Sequence, residues 1–242
     1  MKIREGFKNV PFRTIGERDG GGLQKSFINT TEWEIDDQRI HEQAWGDRYN
    51  YETSIISNII EENNYKTILE LGSGPGMLCN KISLKHDNLE YHLVDIEAAK
   101  ETNKRKNLGG IFHVQNLNNT LDTTDLPKKI DLFIANDFLE HIQNPSNIIQ
   151  KIKSLLDENG KAFISVPNWR MGHEWIYRGV FDWDNFIYFM WQHGFEFVGC
   201  QKSNLVCPNY PRTCNESSMP EEMINSWNWY MLFKRNDIDE EK

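Results

Sequence analysis

Alternating glycines behind a short apolar segment constrain the fold more than any other part of the chain. Ile68–Leu71 is apolar apart from one carboxylate, Glu70, and this pattern is typical of a buried strand. Glycines occupy every second position of Gly72–Gly76, and the apolar periodicity of a helix begins at Met77. The order predicts a strand, a turn without Cβ atoms and a helix N-terminus. Together these let a ligand lie directly on backbone.

Two kinds of cofactor site use a glycine turn of this type. The dinucleotide fingerprint needs its third glycine three residues after the second, for close packing of helix on strand. Met77 stands at that position here, and the third glycine, Gly76, comes one residue early. The pattern G-x-G-x-G with Glu70 just ahead instead resembles motif I of the class I S-adenosylmethionine (SAM)-dependent methyltransferases.

Strands and helices alternate from residue 67 onward. We predict strands at Thr67–Leu71, Glu90–Asp95, Ile111–Val114, Ile130–Ala135, Lys161–Val166, Phe195–Cys200 and Trp227–Lys234, and helices at Gly76–His86, Glu97–Lys106, Pro145–Asp157 and Asp182–His193. Alternation at this spacing predicts βαβ units and a parallel sheet. The resemblance implies an α/β, Rossmann-like, seven-stranded sheet that is mostly parallel, with an antiparallel last strand and helices on both faces.

Two local sequence patterns predict where a helix and a strand end. Asn159-Gly160 predicts a left-handed stop after the helix at Pro145–Asp157. Pro167 is expected to end the fifth strand, because it cannot donate a hydrogen bond to the ladder. Residues 36–62 are predicted to be helical in two pieces. We divide the chain into an N-terminal arm with a lid-like helix (1–50) and a methyltransferase domain (51–242) with substrate-loop insertions at about 168–181 and 201–226.

Composition narrows the class of partner. The chain of 242 residues carries a formal charge of −9, which disfavours a nucleic-acid backbone or an anionic membrane as the main partner. No apolar run approaches the ~18–20 residues that span a bilayer, and the N-terminus lacks a signal peptide's apolar stretch. Four cysteines in a chain of this length do not form a disulfide framework, so we expect a cytoplasmic setting.

Ligands of a doubly wound sheet bind beyond the carboxyl ends of its strands. The resemblance implies that the glycine turn meets the methionine part of SAM and that Glu70 accepts from the ammonium group. It also implies that Asp95 takes both ribose hydroxyls; the alternative for Asp95 is a solvated turn residue. Asn116 fills a slot where the family usually has an acidic residue at the adenine. The complete predicted cofactor-binding set is Glu70, Gly72, Ser73, Gly74, Gly76, Asp95, Ile96, Asn116, Leu117 and Asn136.

The segment Asp137–His141 follows the fourth predicted strand, where methyl donor and acceptor must meet. Asp137, Glu140 and His141 are expected on one face of a helical turn, with Phe138 and Leu139 pointing inward. The run D-x-x-E-H resembles the E-x-x-E-H pattern of the ubiquinone-pathway O-methyltransferases, the closest family in pattern, and of the small-RNA 2′-O-methyltransferases.

That second resemblance implies a divalent cation such as Mg²⁺. Its ligands here would be Asp137, Glu140 and His141, with His173 as the nearest candidate for a further histidine. Such an ion lowers the pKa of a coordinated hydroxyl. Two alternatives stay open: His141 acts as a general base without metal, or Glu140 and His141 only cap and orient the turn.

The acceptor must be bound by segments outside the shared sheet. The loop 168–181 is rich in indole and guanidinium groups, which stack on rings and pair with anions. We therefore predict O-methylation of a small hydroxylated acceptor such as a sugar, nucleotide-linked sugar or glycan. A quinone- or catechol-like acceptor is the first alternative, and a SAM-binding subunit without catalytic activity is the second.

Overall fold

The structure is a computed structural model that describes residues 35–118, 120–142, 144–167, 183–203, 219–220, 223, 226 and 228–236. Of residues 35–45 it describes the backbone alone. The N-terminal arm before residue 35, His173 and the predicted acceptor loop 168–181 therefore lie outside the described residues. So does most of the predicted insertion at 201–226.

Helices and strands alternate as predicted. The helices are α1 (Ile35–Asn63), α2 (Met77–Ser83), α3 (Glu97–Lys106), α4 (Pro145–Leu155) and α5 (Trp183–Gln192). The strands are β1 (Thr67–Leu71), β2 (Glu90–Asp95), β3 (Ile111–Val114), β4 (Ile130–Ala135), β5 (Leu156–Pro167), β6 (Phe195–Lys202) and β7 (Asn228–Arg235). None of the helices in these ranges combines the length and the apolar content that crossing a bilayer requires.

One seven-stranded sheet organises these elements, in the order β3-β2-β1-β4-β5-β7-β6. Strands β1 to β5 pair in parallel, and β7 is antiparallel to both of its neighbours. The order reverses between β1 and β4, so the carboxyl ends of these two strands flank the crevice where an open α/β sheet binds its ligand. The predicted seven-stranded sheet with an antiparallel last strand is confirmed.

Each face of the sheet buries its own apolar core. The larger core packs α4 and α5 against one face, with Ile149, Phe186 and Trp229 fully enclosed. The smaller core packs α1 and α2 against the other face, through residues such as Ile56 and Ile82. Helices therefore cover both faces, as predicted.

The start of α4 follows from local sequence. Asn144 precedes the helix, and its side chain accepts a hydrogen bond from the Asn147 backbone N–H, while Pro145 fills the first turn. Asparagine is a favoured N-cap residue, and proline there sacrifices only a donor that has no partner within the helix. The apolar stripe of Ile148, Ile149, Ile152 and Leu155 then faces the larger core.

Two local predictions were wrong. Residues 36–62 do not form two helical pieces, because α1 runs unbroken from Ile35 to Asn63, and the proposed division at residue 50 falls inside it. Asn159-Gly160 does not stop α4: Leu156 ends it in an extended conformation and begins β5. The pairing of β5 with β4 shifts between Ile130 and Leu132, and Gly160 fits there because a Cβ would lie 2.9 Å from the Ile130 carbonyl oxygen. The predicted strand end at Pro167 is confirmed.

Candidate functional site

The glycine turn after β1 adopts the backbone that only glycine takes readily. The φ angles of Gly72, Gly74 and Gly76 are +66°, +52° and +87°, all in the left-handed region. A Cβ on Gly72 would lie 2.3 Å from a ring carbon of Phe138, so the turn approaches the end of β4 too closely for any side chain. The turn therefore has the glycine-dependent conformation that the sequence predicted; residues 73–76 are buried, and their contact with a ligand stays a prediction.

Asp95 lies against this turn. Its Oδ2 accepts from the Gly74 backbone N–H at 2.7 Å, and its Oδ1 accepts from the Ile96 backbone N–H at 2.7 Å. Burial raises the pKa of Asp95, although both backbone N–H groups act in the opposite direction. A carboxylate placed this way at the end of β2 can take ribose hydroxyls, and it also fixes the turn on which the rest of a cofactor would lie.

Glu70 is the buried acid of the site. It is 3% exposed, and its Oε2 accepts from the Tyr91 hydroxyl at 2.8 Å. Burial raises the pKa of Glu70 to about 8; the hydrogen bond from the Tyr91 hydroxyl lowers it, and the carboxylates of Glu52 and Asp95 raise it by smaller amounts. A cation such as an ammonium group would favour the ionised form, so the residue fits the role that the resemblance implies.

The adenine side of the predicted site is organised by local contacts. Asn116 Oδ1 accepts from the Asn118 backbone N–H at 3.1 Å, and Leu117 is buried in the larger core. The Gln115 side chain brackets the loop by bonding both the N–H and the C=O of Asp122, each at 2.8 Å. The amide oxygen of Asn116 therefore serves the turn in this structure, and its adenine contact stays a prediction.

The segment after β4 does not form the expected helical turn. Asp137 is left-handed, with φ +46°, and a short 3₁₀ turn begins only at Leu139 and ends at His141. Asp137, Glu140 and His141 therefore do not share one helical face. Phe138 and Leu139 are buried, 6% and 0% exposed, as predicted.

Tertiary contacts explain the conformation of Asp137. Its carboxylate accepts from the Ser165 hydroxyl at 2.7 Å and from the side chains of Asn228 and Arg48. Its backbone N–H donates to the same Ser165 hydroxyl at 2.8 Å. These bonds come from β5, β7 and α1, and together they outweigh one further turn of helix.

The Arg48 side chain joins two carboxylates at this edge. Its guanidinium pairs with Asp137 and, through Nε at 2.6 Å, with Glu52 Oε1, which also accepts from the Tyr230 hydroxyl at 2.9 Å. Burial alone would lower the pKa of Arg48, but Asp137 and Glu52 raise it above its usual value. Burial raises the pKa of Glu52, while Arg48 acts in the opposite direction.

The predicted metal ligands do not come together in the described part of the chain. No group of three His, Cys, Asp or Glu side chains there has a geometry that could hold an ion. Both Asp137 oxygens are engaged by other side chains, and burial raises the pKa of Glu140 to about 8, helped by the charge of Asp137. The described residues thus give the metal no support, and His173 lies outside them.

Three residues near Asp137 hold buried polar atoms that lack a hydrogen-bond partner among the described residues. These atoms are both amide atoms of Asn136, Oε2 of Glu52 and Oδ1 of Asn228. Most buried polar groups in native proteins are paired with protein or with ordered water, so these atoms call for a further partner.

Sequence reasoning missed Arg48, Glu52, Ser165, Asn228 and Tyr230. The i, i+4 spacing of Arg48 and Glu52 on a helix was the only local signal for any of them. Tyr230 reaches Glu52 from 178 positions away, and Asn228 reaches Asp137 from 91. No local pattern predicts contacts of that range.

Comparison with known families agrees with this geometry. Residues 44–202 match the family model of a methyltransferase domain, and the chain therefore belongs to that family. It is a class I SAM-dependent methyltransferase, as its motif I resemblance implied.

Curated relatives are O-methyltransferases of low identity. A ubiquinone biosynthesis O-methyltransferase from Histophilus somni is 26% identical over 161 residues, which are 60% of this chain and 66% of that protein. A malonyl-[acyl-carrier protein] O-methyltransferase from Ilyobacter polytropus is 29% identical over 98 residues, 40% of this chain and 37% of that one. The match thus spans less than two thirds of either relative.

Solved structures share the fold. A SAM-dependent methyltransferase from Clostridium acetobutylicum superposes with a TM-score of 0.57 at 13% identity, covering 83% of this chain and 98% of that one. An O-methyltransferase family protein from Burkholderia thailandensis gives a TM-score of 0.62 at 12% identity, covering 88% of this chain and 64% of that one. At such identities the likeness concerns the fold alone.

Proposed function

We propose that this methyltransferase transfers the methyl group of SAM to a hydroxyl oxygen of a small acceptor such as a sugar, nucleotide-linked sugar or glycan. The observation that carries the cofactor half is the left-handed glycine turn braced by Asp95 beside the buried acid Glu70. The names of the curated relatives support oxygen as the acceptor atom.

The charge of the edge supports a cationic cofactor. Glu52, Glu70, Asp95 and Asp137 contribute four carboxyl groups there, against one guanidinium, that of Arg48. SAM supplies a sulfonium and an ammonium group, and both are stabilised by carboxylates in a site of low dielectric.

The transfer requires alignment and removal of one proton. The acceptor oxygen forms a bond to the methyl carbon, the carbon–sulfur bond breaks, and its electron pair stays on sulfur. We assign the hydroxyl proton to His141, a base whose ordinary pKa near 6.5 suits the task. A divalent cation held with the help of His173 is the second way to activate the hydroxyl.

Binding and turnover test the proposal separately. Calorimetric titration with SAM is expected to show one site, weakened about 100-fold or more in Asp95→Ala, since that variant loses both a ribose acceptor and the brace on Gly74. Arg235→Met, at the opposite end of the sheet, is the matched control and should bind SAM as the parent does. Equal affinity of Asp95→Ala and the parent would refute the cofactor assignment.

A turnover screen then identifies the acceptor class. Release of S-adenosylhomocysteine (SAH) is followed with methyl glycosides, nucleotide-sugars, catechol and a short-chain ubiquinol, each with and without EDTA. Turnover on a glycoside that survives EDTA and is lost in His141→Ala is the expected result. Loss of turnover with EDTA would support the cation instead, and SAM binding without any SAH release would support a non-catalytic subunit.

The proposal also covers the segments outside the central sheet. We propose that the insertions at about 168–181 and 201–226 bind the acceptor, and that residues 1–50 act as an arm and lid on the domain 51–242. Deleting residues 1–30 should then weaken SAM retention or slow turnover. A truncated protein with unchanged SAM affinity and SAH release would refute the lid.

A further inference from the structure

The unpaired polar atoms around Asp137 belong to residues that are otherwise firmly held. Glu52 is 0% exposed and Asn228 is 1% exposed. Glu52 Oε1 is bonded by Arg48 and Tyr230, which leaves Oε2 alone. Asn228 Nδ2 donates to the Asp137 carboxylate, so its amide orientation is fixed and Oδ1 is the atom left over.

Asn136 lies just beyond the carboxyl end of β4. In the parallel pairing of β1 with β4, Glu70 is opposite Ile134, and β4 ends one residue later, at Ala135. Asn136 is therefore next in the chain to Asp137, which pairs with Arg48.

Polar atoms that lack a partner among the described residues lower stability unless another group bonds them. A buried polar group without a partner costs about 1–3 kcal/mol, and few groups per domain are left in that state. Three residues contribute such atoms here, and each either contacts the Arg48–Asp137 pair or adjoins it in the chain. A ligand that bonds them recovers the cost.

The chemistry of the atoms selects the ligand. The Asn136 amide offers a donor and an acceptor, Asn228 offers an acceptor oxygen, and Glu52 offers a carboxyl oxygen. A neutral hydroxyl both donates and accepts, so a hydroxyl pair can meet all three. A carboxylate or phosphate would be repelled by the ionised Asp137 and its acidic neighbours.

We propose that Glu52, Asn136 and Asn228 form an acceptor subsite for a pair of neutral hydroxyl groups, and that the Arg48–Asp137 pair holds this subsite in shape. The inference rests on the proposed function, since the ligand is the methyl acceptor. It makes α1 and β7 part of acceptor recognition, and at this subsite it selects a neutral diol over an anionic group.

The decisive variant is Asn136→Leu, which removes both unpaired atoms at nearly constant volume. Because those atoms have no hydrogen-bond partner among the described residues, we expect the variant to be at least as stable as the parent. The control is Asn103→Leu: this asparagine is 7% exposed, and its Nδ2 donates to the Pro75 carbonyl at 2.8 Å. Thermal unfolding should show Asn103→Leu clearly destabilised and Asn136→Leu not.

Binding to the SAH-loaded protein supplies the second readout. The probes are methyl glucopyranoside, methyl galactopyranoside and catechol as neutral diols, with malonate and glucose 6-phosphate as anions. We expect at least one diol to bind more tightly than either anion, and Asn136→Leu to weaken that diol at least tenfold, by a larger factor than it weakens SAM. Asn136→Ser, which keeps a hydrogen-bonding group, should recover part of the loss.

Several results would overturn the subsite. For the variant, they are a destabilisation of Asn136→Leu as large as that of Asn103→Leu, an unchanged diol affinity, or a loss of SAM affinity in place of diol affinity. For the parent, they are tighter binding of an anion than of any diol, or no diol binding at about 10 millimolar. A parent protein that binds no SAM would refute the proposed function itself. The two failures are therefore separable.

Discussion

Polar groups are paired differently at the two ends of the central sheet. At the amino end, Asp131 Oδ2 accepts from the backbone N–H groups of Lys66 and Thr67, at 2.7 and 2.9 Å. The Tyr65 hydroxyl donates to the Asn159 carbonyl at 2.7 Å, and Arg235 donates to that of Leu156 at 3.0 Å. These contacts join the starts of strands and need no ligand.

At the carboxyl end the polar groups are more charged, more deeply buried and incompletely paired. Asp137 illustrates the contrast with Asp131, since Asp131 is the second residue of β4 and Asp137 lies just beyond its carboxyl end. Asp131 fixes backbone, whereas Asp137 is tied to Arg48 in a network that also includes Glu52. We infer that the amino end stabilises the fold, while the carboxyl end gives up stability to hold groups ready for a ligand. Four sets of variants test that contrast.

The largest expected effect is on Arg48. Removing one partner of a buried ion pair leaves a charge without compensation, which typically costs about 3–5 kcal/mol. Arg48→Met should therefore lower the free energy of unfolding by that amount in urea titrations. Arg235 at the amino end donates, among its contacts, to the Leu156 carbonyl, and we expect Arg235→Met to cost less than Arg48→Met because that bond joins no buried ion pair. Similar losses of unfolding free energy for Arg48→Met and Arg235→Met would contradict the proposed difference between the two ends of the sheet.

Gly72 provides the second test. Gly72→Ala must combine a left-handed backbone with a Cβ that overlaps the Phe138 ring, and overpacking of this kind costs about 1–3 kcal/mol beyond the backbone strain. Calorimetric unfolding should show a clear drop in Tm together with weaker SAM binding. Gly109, near the start of β3, has open space at its Cβ position, so Gly109→Ala should change Tm little. A neutral Gly72→Ala would contradict the close approach of turn and strand.

Glu70 gives a pH-dependent effect of intermediate size. Its folded pKa of about 8 lies above the unfolded value near 4.5, so its contribution to stability is complete below pH 4.5 and is lost as pH rises through 8. Between pH 6.0 and 7.5 the free energy of unfolding should fall by about 2 kcal/mol in the parent relative to Glu70→Gln. Parallel pH profiles for the two proteins would show that Glu70 is already ionised. Saturating SAM should flatten the parent's profile, since a cation favours the carboxylate.

Asp131 provides the smallest effect. Asp131→Asn keeps a side-chain oxygen that can accept from the Lys66 and Thr67 N–H groups, so we expect a loss below about 1 kcal/mol and no change in SAM affinity. Asp137→Asn, its counterpart across β4, should lose more because it leaves Arg48 with one carboxylate fewer. A larger loss of stability in Asp131→Asn than in Asp137→Asn would contradict the inference that the amino end stabilises the fold and the carboxyl end holds groups for a ligand.

The sequence predicted the parts of this molecule that depend on local pattern. The bounds of β1 to β4 and of α3 match the structure because apolar runs, glycines and charged flanks lie within a few residues of each other. The placement of Asp95 beside the glycine turn followed from topology, since the carboxyl ends of neighbouring parallel strands meet. The predicted helical turn at Asp137 was wrong because its partners on α1, β5 and β7 are distant in the chain.

The reversed direction of β7 has a consequence for how acceptor preference can change. Its first residues pair with the last residues of both neighbours, Asn228 with Pro167 and Trp229 with Lys202. The chain therefore leaves β6 and re-enters β7 at the same rim, with both anchor points fixed by one ladder. A change of length within 204–218 therefore need not shift any strand, because loop closure depends only weakly on length. Acceptor preference could thus change among relatives while the sheet stays intact.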